Sequence, residues 1–404
     1  MSSPLARPET DACPGALRLH DAADGPLARV RIPGGRVNGV QLAALRELAE
    51  EWGDGHLELT SRANLQLRAL GGAPPARLAE RLAAAGLLPS PTHELVRNIA
   101  GSPLLTDPAP VTALDAALCA DPALAALPGR FLFAIDDGSG DVAFSADVAA
   151  LPSGTILFGG RDLGLRAPAG QAVPALLAAA HAFLALAEQN ASSSGRRPWR
   201  VRELTDGPAR MAACTAAALG VTLLESDSSV RRQALREPIG AIPHRDGRTA
   251  VGALVPLGRL GGDALRTLET ARALVITPWR GVIVPNLPAA EADAWMRKLA
   301  GAGLEVGADS RWAGVTACAG RPGCAKSLAD VRSDADAATR AGSGLPVHWV
   351  GCARGCGSPA GPHVRVEATG TGYAVARKPE DDGRAADLVP VAEVAAVIAV
   401  LRKG

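Results

Sequence analysis

An internal repeat limits the possible folds of this chain more than any other feature of its sequence. One copy reads Val30-Arg-Ile-Pro33-Gly-Gly-Arg36, an amphipathic stretch from Val40 to Trp52, then Leu57-Glu-Leu-Thr60-Ser-Arg62. The other reads Ala253-Leu-Val-Pro256-Leu-Gly-Arg259, a helical stretch from Asp263 to Ala273, then Val275-Ile-Thr277-Pro-Trp-Arg280. Both run strand, Pro-x-Gly-Arg loop, helix, strand, threonine, cation. The second strand continues as Asn64-Leu-Gln-Leu-Arg68 in one copy and Gly281-Val-Ile-Val284 in the other. Strands separated by single helices predict αβ half-domains. Duplication of such a unit predicts two copies packed about a pseudo-twofold axis.

A longer region, about residues 90 to 235, separates the copies, and a cysteine-bearing region from 308 onward follows the second. The predicted order is half-domain 15–88, large unit 89–235, half-domain 236–304 and cysteine-bearing unit 305–404. A hydrophobic content of 48% can build cores for several units. The net charge of +1 argues against a nucleic-acid surface. Of 42 basic residues only Lys298, Lys326, Lys378 and Lys403 are lysine, so 38 are arginine, equipped for fork-like recognition of carboxylates. No uninterrupted apolar run reaches the length of a membrane span. The closest, Ala172 to Ala187, contains Pro174 and His181 and reads as a packed helix. The N-terminus lacks the apolar core of a signal peptide, so a cytoplasmic, reducing location is expected.

The cysteines suggest the chemistry. Cys318 and Cys324 are spaced C-x5-C, and Cys352 and Cys356 C-x3-C, in loops of glycine, alanine and arginine. Four thiolates of this kind suit a [4Fe–4S] cluster. Small residues let backbone N–H groups approach the cluster sulfurs. Structural zinc prefers tighter spacing. An odd total of 7 cysteines does not read as a disulfide scaffold. Cys13, Cys119 and Cys214 each stand alone, and free buried cysteine is expected for them. Arg62, Asn64, Gln66 and Arg68 alternate with apolar residues. They are predicted to share one strand face as a polar pocket wall.

These residues together resemble the nitrite/sulfite reductase family. The resemblance rests on the cysteine pairs, on Thr60-Ser-Arg62-Ala-Asn64-Leu-Gln66-Leu-Arg68, and on Arg97-Asn98-Ile-Ala-Gly-Ser-Pro103. They are similar to that family's cluster loops, its tetrapyrrole-contact strand and its substrate-side segment. The fold implied is α+β, with two ferredoxin-like half-domains, two siroheme/[4Fe–4S]-type α+β domains and internal pseudo-twofold duplication. Where the reductases carry two lysines in a Leu-Pro-x-Lys-Phe-Lys segment, this chain reads Leu127-Pro128-Gly129-Arg130-Phe131-Leu132. A leucine can neither donate a proton nor balance charge during reduction of an oxyanion.

That departure, the short chain, and the segments Thr277-Pro-Trp-Arg280, Trp199-Arg-Val-Arg202-Glu203 and Phe133-Ala-Ile-Asp-Asp137-Gly resemble a branch of the family acting in cobalamin biosynthesis. The branch implies an oxygenase that uses O₂ to hydroxylate precorrin-3A at C20, with γ-lactone formation. Its electrons would come from an external donor, an NADH-linked reductase or a ferredoxin; no nucleotide-binding fingerprint stands out. The alternative is a siroheme-dependent sulfite or nitrite reductase, and a third possibility is a tetrapyrrole carrier without catalysis. Under the resemblance Cys318, Cys324, Cys352 and Cys356 hold the cluster, with Cys356 nearest the tetrapyrrole. Arg62, Asn64, Gln66, Arg68 and Arg280 bind substrate, and Arg97 and Arg130 take catalytic roles. The branch also implies a mononuclear non-haem iron. His56, His93, His181, His244, His348, His363 and the acidic group Asp136, Asp137 and Asp141 offer no recognisable ligand set for it.

Overall fold

The computed structural model describes residues 13–227, 229–230, 237–244, 246–359, 361–379 and 387–403. The expected boundary at 235/236 lies outside these residues.

Both copies of the repeat form antiparallel sheets of matching order. The first sheet runs His20–Ala22, Gly25–Val30, Leu65–Leu67, His56–Leu59 and then Arg259–Gly261. The second runs Gly240–Pro243, Arg248–Leu254, Gly281–Pro288, Leu274–Ile276 and then Arg36–Val37. The outermost strand of each sheet therefore comes from the other copy. Leu260 pairs with Leu57, and Val37 pairs with Leu274. One shared core lies beneath, joining Leu42, Leu45, Leu48, Leu57 and Leu65 of the first copy to Val251, Leu265, Leu268 and Val282 of the second.

Local chemistry explains the repeated pieces. Asn38 opens helix Gly39–Trp52 with a capping box: its side chain accepts from the Gln41 N–H at 2.8 Å, and the Gln41 side chain accepts from the Asn38 N–H at 3.1 Å. Its partner, helix Gly262–Glu269, ends before the expected Ala273, where the Thr270 hydroxyl bonds the Thr267 carbonyl at 2.7 Å and competes with the helical ladder. Ahead of each helix the chain turns through two left-handed residues, Gly34 (φ 62°) and Gly35 (φ 68°) in one copy, Leu257 (φ 52°) and Gly258 (φ 68°) in the other. At Gly35 the positive φ coincides with close packing across the copies, since a Cβ there would stand 2.1 Å from the Ile276 carbonyl oxygen. Gly35→Ala is expected to lower stability by about 2 kcal/mol, read as a lower midpoint in thermal unfolding. An unchanged midpoint would contradict the packing.

The other two sheets also match each other. Ile99–Gly101, Phe133–Ile135 and Val148–Ala150 run parallel, followed by antiparallel Thr155–Phe158 and Arg161–Arg166. Val315–Ala317, Val347–Val350 and His363–Ala368 run parallel, followed by antiparallel Tyr373–Lys378 and Asp387–Val389. The central strands Phe133–Ile135 and Val347–Val350 are buried throughout, the first wholly apolar and the second interrupted by His348. Helix Ala172–Ser194 is long and apolar enough to cross a membrane by length and composition. Instead it buries Leu176, Ala179, Ala180, Phe183 and Ala187 against the third sheet's core, as the sequence predicted.

Candidate functional site

Parallel pairing brings the cysteines together. Val315–Ala317 and Val347–Val350 run side by side, so Cys318 and Gly351-Cys352 leave the sheet at the same end. The Cys318 N–H bonds the Trp349 carbonyl at 2.9 Å, and the Leu328 N–H bonds the Gly351 carbonyl at 2.8 Å, tying the two loops to one another. The Gly351 N–H donates to Cys318 Sγ at 3.2 Å. Any side chain at Gly351 would collide with the Ser327 hydroxyl, 1.9 Å from a built Cβ. Buried His348 accepts or donates at both nitrogens, to the Thr316 hydroxyl at 2.7 Å and the Cys356 carbonyl at 3.0 Å.

The four thiols are not drawn together as the ligands of a single ion would be. A zinc with four Zn–S bonds of about 2.3 Å draws its sulfurs to roughly 3.8 Å apart. Among the described residues the gathered set of three or more donor atoms within 4.8 Å is Asp136, Asp137 and Asp141; the thiols are spaced more widely. They still sense one another. Burial raises the Cys356 thiol above its ordinary pKa, and Cys318, Cys352 and Cys324 add to that rise while Arg354 opposes it. Cys318, Cys324 and Cys352 are half-buried and Cys356 is exposed.

Beside the last cysteine loop lies a cavity of about 620 Å³. Its walls come from all four sheets' surroundings: Ser61 and Arg62, then Leu132, Asp141, Asp147, Arg200 and Arg202, then Glu237 and Pro278-Trp279-Arg280, then Trp312, Thr316 and Gly357-Ser358-Pro359. Gly357 follows Cys356 directly. Arg62 and Arg280 sit on equivalent turns. Thr60 Oγ1 accepts from the Asn64 N–H and Thr277 Oγ1 from the Gly281 N–H, closing each turn over a left-handed residue, Ala63 (φ 56°) and Arg280 (φ 66°). The repeat thus equates Arg280 with Ala63, one position away from the Arg62 that the sequence alignment suggested.

The cavity carries more cations than acids on its walls, Arg62, Arg200, Arg202 and Arg280 against Asp141, Asp147 and Glu237. Burial first, then Arg200, holds Arg62 down at about 10. Burial likewise lowers Arg280. Arg200 Nε stands 2.6 Å from Asp147 Oδ2, and that carboxylate also accepts from the Leu132 and Val201 N–H groups at 2.9 and 2.8 Å. Burial pushes Asp141 up to about 7, against the Ser102 hydroxyl that donates to it at 2.5 Å.

Other expected ligand residues are placed elsewhere. Arg62 precedes strand Leu65–Leu67 in a turn, so the four polar residues do not share one strand face. Asn64 is buried, accepting from the Ile32 N–H at 2.8 Å. Gln66 accepts from Arg29 and donates to Glu58. Arg68 forms a fork onto Asp24 at 3.0 and 2.9 Å and donates to the Gly323 carbonyl at 2.7 Å, so it braces the first cysteine loop rather than the cavity. Arg97, expected to be catalytic, is consumed by a fork onto Asp115 at 2.7 Å on both arms and by the Leu87 carbonyl. Arg130 lies over the Trp199 ring at 4.6 Å, away from the cavity wall. Leu132, its neighbour, is on that wall. Cys214 is exposed and Cys13 and Cys119 half-buried, a correction to the expected free buried thiols.

Nor do the histidines gather around a metal. His56 bonds the Asp54 carbonyl, His93 the Asp121 carbonyl, His181 the Asp121 carboxylate and His363 the Gly361 carbonyl. Asp136 spends both oxygens on four backbone N–H groups, of Gly138, Gly140, Val142 and Ala143, which makes it a turn residue. A site of two histidines and a carboxylate is not formed among the described residues, so they do not fit a mononuclear iron of that kind. Sequence reasoning missed Arg200, Arg202, Glu237 and Trp312. The Arg200-Val-Arg202 spacing was a signal for the first two; no local pattern marks Glu237.

Residues 20–85 match the nitrite/sulfite reductase ferredoxin-like half domain. Over 393 residues the chain is 29% identical to a ferredoxin–nitrite reductase of Synechococcus elongatus, covering 82% of this chain and 74% of that protein. It is 26% identical over 390 residues to a precorrin-3B synthase of a Sinorhizobium species, covering 90% and 81%. Among solved structures, Mycobacterium tuberculosis NirA protein superimposes with a TM-score of 0.70 at 18% identity, covering 92% of this chain and 79% of that one. The α+β, nitrite/sulfite reductase-like architecture expected from the sequence is the architecture observed.

Proposed function

We propose that this chain, whose residues 20–85 match the nitrite/sulfite reductase ferredoxin-like half domain, is an oxidoreductase whose cavity binds a polycarboxylated tetrapyrrole as substrate, precorrin-3A, and hydroxylates it with O₂. The observation that carries this reading is the wall itself. Arg62, in no ion pair among the described residues, and Arg280, which donates to the Gly357 carbonyl at 3.5 Å, face a space beside Gly357 and the cysteine loop, with Leu132 where the resemblance puts a reductase lysine. Guanidinium groups that are part-buried and not held in an ion pair favour an anionic ligand that supplies one. A tetrapyrrole bearing acetates and propionates does so at several points at once.

Cys318, Cys324, Cys352 and Cys356 would hold a [4Fe–4S] cluster, which when bound supplies electrons one at a time. The protein's residues do the rest. Arg62 and Arg280 fix the macrocycle by its carboxylates, Trp279 and Trp312 exclude water, and the Thr316–His348–Cys356 chain of hydrogen bonds locks the cysteine loop to the cavity floor. Balance requires two electrons from an external donor and two protons. One oxygen atom becomes the C20 hydroxyl and the other leaves as water, while the ring A acetate closes the γ-lactone.

The test is anaerobic purification followed by precorrin-3A, isotopically labelled O₂ and a reduced donor. One labelled oxygen in the product supports the reading. The second reading, siroheme-dependent nitrite or sulfite reduction, is favoured by the greater identity to the nitrite reductase. Sharp siroheme bands that shift on adding nitrite or sulfite would establish it instead. Under the first reading Arg62→Ala is expected to weaken tetrapyrrole binding about 10- to 100-fold, the worth of one charge-assisted pair. Its iron content and cluster spectrum should stay unchanged; titration of ligand fluorescence checks this.

A further inference from the structure

Leu132 leaves the proton supply of this cavity unassigned. The arginines on its walls cannot fill the role, because a guanidinium keeps its proton. Three acids reach the cavity among the described residues, Asp141, Asp147 and Glu237. Asp147 accepts from two backbone N–H groups and faces Arg200. Asp141 accepts from the Ser102 hydroxyl. Glu237 differs: its Oε1 is buried and has no hydrogen-bond partner. It is held against the backbone of Gly281, where an added Cβ would stand 2.9 Å from that oxygen.

A buried carboxyl oxygen without a hydrogen-bond partner is costly to keep ionised. We propose that Glu237 is the proton donor of this cavity, holding a proton beside Arg280 and passing it to the dioxygen atom that leaves as water. The proposal rests on the cavity being the site of reaction. Burial pushes Glu237 up to about 8, with Arg280 opposing. The group is therefore largely neutral at pH 7, and its acidity lies close to the working pH, where a general acid is most effective. The charges facing it are Arg280 from the turn before strand Gly281–Pro288, and Arg62, Arg200, Arg202, Asp141 and Asp147 from the remaining walls.

In the step, the O–O bond and the Glu237 O–H bond break; the Glu237 proton and a second proton from solvent join the oxygen atom that leaves as water, while the other oxygen atom bonds to C20 of the ligand. The electrons come from the external donor. The carboxylate left behind is stabilised by Arg280 and regains a proton from solvent.

The experiment pairs E237Q with infrared difference spectroscopy and steady-state kinetics on the cluster-loaded protein. The unaltered protein is expected to show a protonated carboxyl that titrates near pH 8 and is missing from E237Q. With precorrin-3A, O₂ and reduced donor, kcat should fall about 100-fold with KM changed less than about twofold, and the alkaline limb of the rate profile should disappear. A carboxyl band that persists in E237Q, or an unchanged kcat and alkaline limb, overturns the proposal. Should the unaltered protein fail to convert precorrin-3A, the functional reading falls, and the infrared titration alone decides whether Glu237 holds the proton. If E237Q does not fold, E237D replaces it; a shifted midpoint and a shifted alkaline limb support the assignment, and an unmoved pair overturns it.

Discussion

Cys352→Ser is expected to yield a folded protein without a cluster and without detectable turnover. Iron should fall from about four atoms per chain to nearly none, and the broad visible absorption should go with it. The cause is chemical rather than steric. A serine hydroxyl fits the space left by the thiol but is far harder to deprotonate and is a poor soft ligand for iron. Folding should survive, because the cores beneath the two repeat sheets and the third sheet contain none of the four cysteines. Iron analysis with far-ultraviolet circular dichroism reads both halves of the expectation. Full iron in Cys352→Ser would refute the ligand assignment, and Cys214→Ser, at an exposed thiol far from the loops in sequence, is the matched control.

The second large effect concerns stability. Arg97 is 4% exposed and its fork onto Asp115 is the main satisfaction of its charge. Arg97→Ala leaves Asp115 facing a void and strips the Leu87 carbonyl of its donor. Removing one member of a buried pair costs about 3–5 kcal/mol. Replacing both members with apolar residues of similar size, Arg97→Met with Asp115→Leu, is expected to recover most of that loss. Denaturant titration of the two variants checks the order. Tetrapyrrole affinity of the folded fraction should be unchanged in both, the opposite of what the family resemblance implied for this arginine. A lost affinity at full stability would restore the catalytic role.

Why does Arg62 line the cavity while Arg97, singled out in the sequence in the same way, does not? In sequence the two look alike, each an arginine in a short polar motif. What separates them is a carboxylate brought into contact by the fold: Asp115 pairs with Arg97 and Asp24 with Arg68, while Asp147 acts on Arg62 without an ion pair among the described residues. Such pairing is a tertiary fact with no local signature. The cysteines were easier, since each pair flanks a strand end and parallel pairing does the gathering. The repeat was legible for the same reason: strand, turn and helix each follow from neighbouring residues. The exchange of outer strands was not. Arg36–Val37 and Arg259–Gly261 are too short to announce a partner, and their choice between two nearly identical sheets depends on where the glycine turns aim them.

That exchange has a consequence for how the protein is made. Strand His56–Leu59 emerges from the ribosome roughly 200 residues before Arg259–Gly261, the strand that covers it. At about 5–20 residues per second its edge stays bare for about 10–40 s, long enough to pair with whatever other strand is near. A gene cut between the two copies would encode fragments with one open edge each, able to complete their sheets only by finding one another.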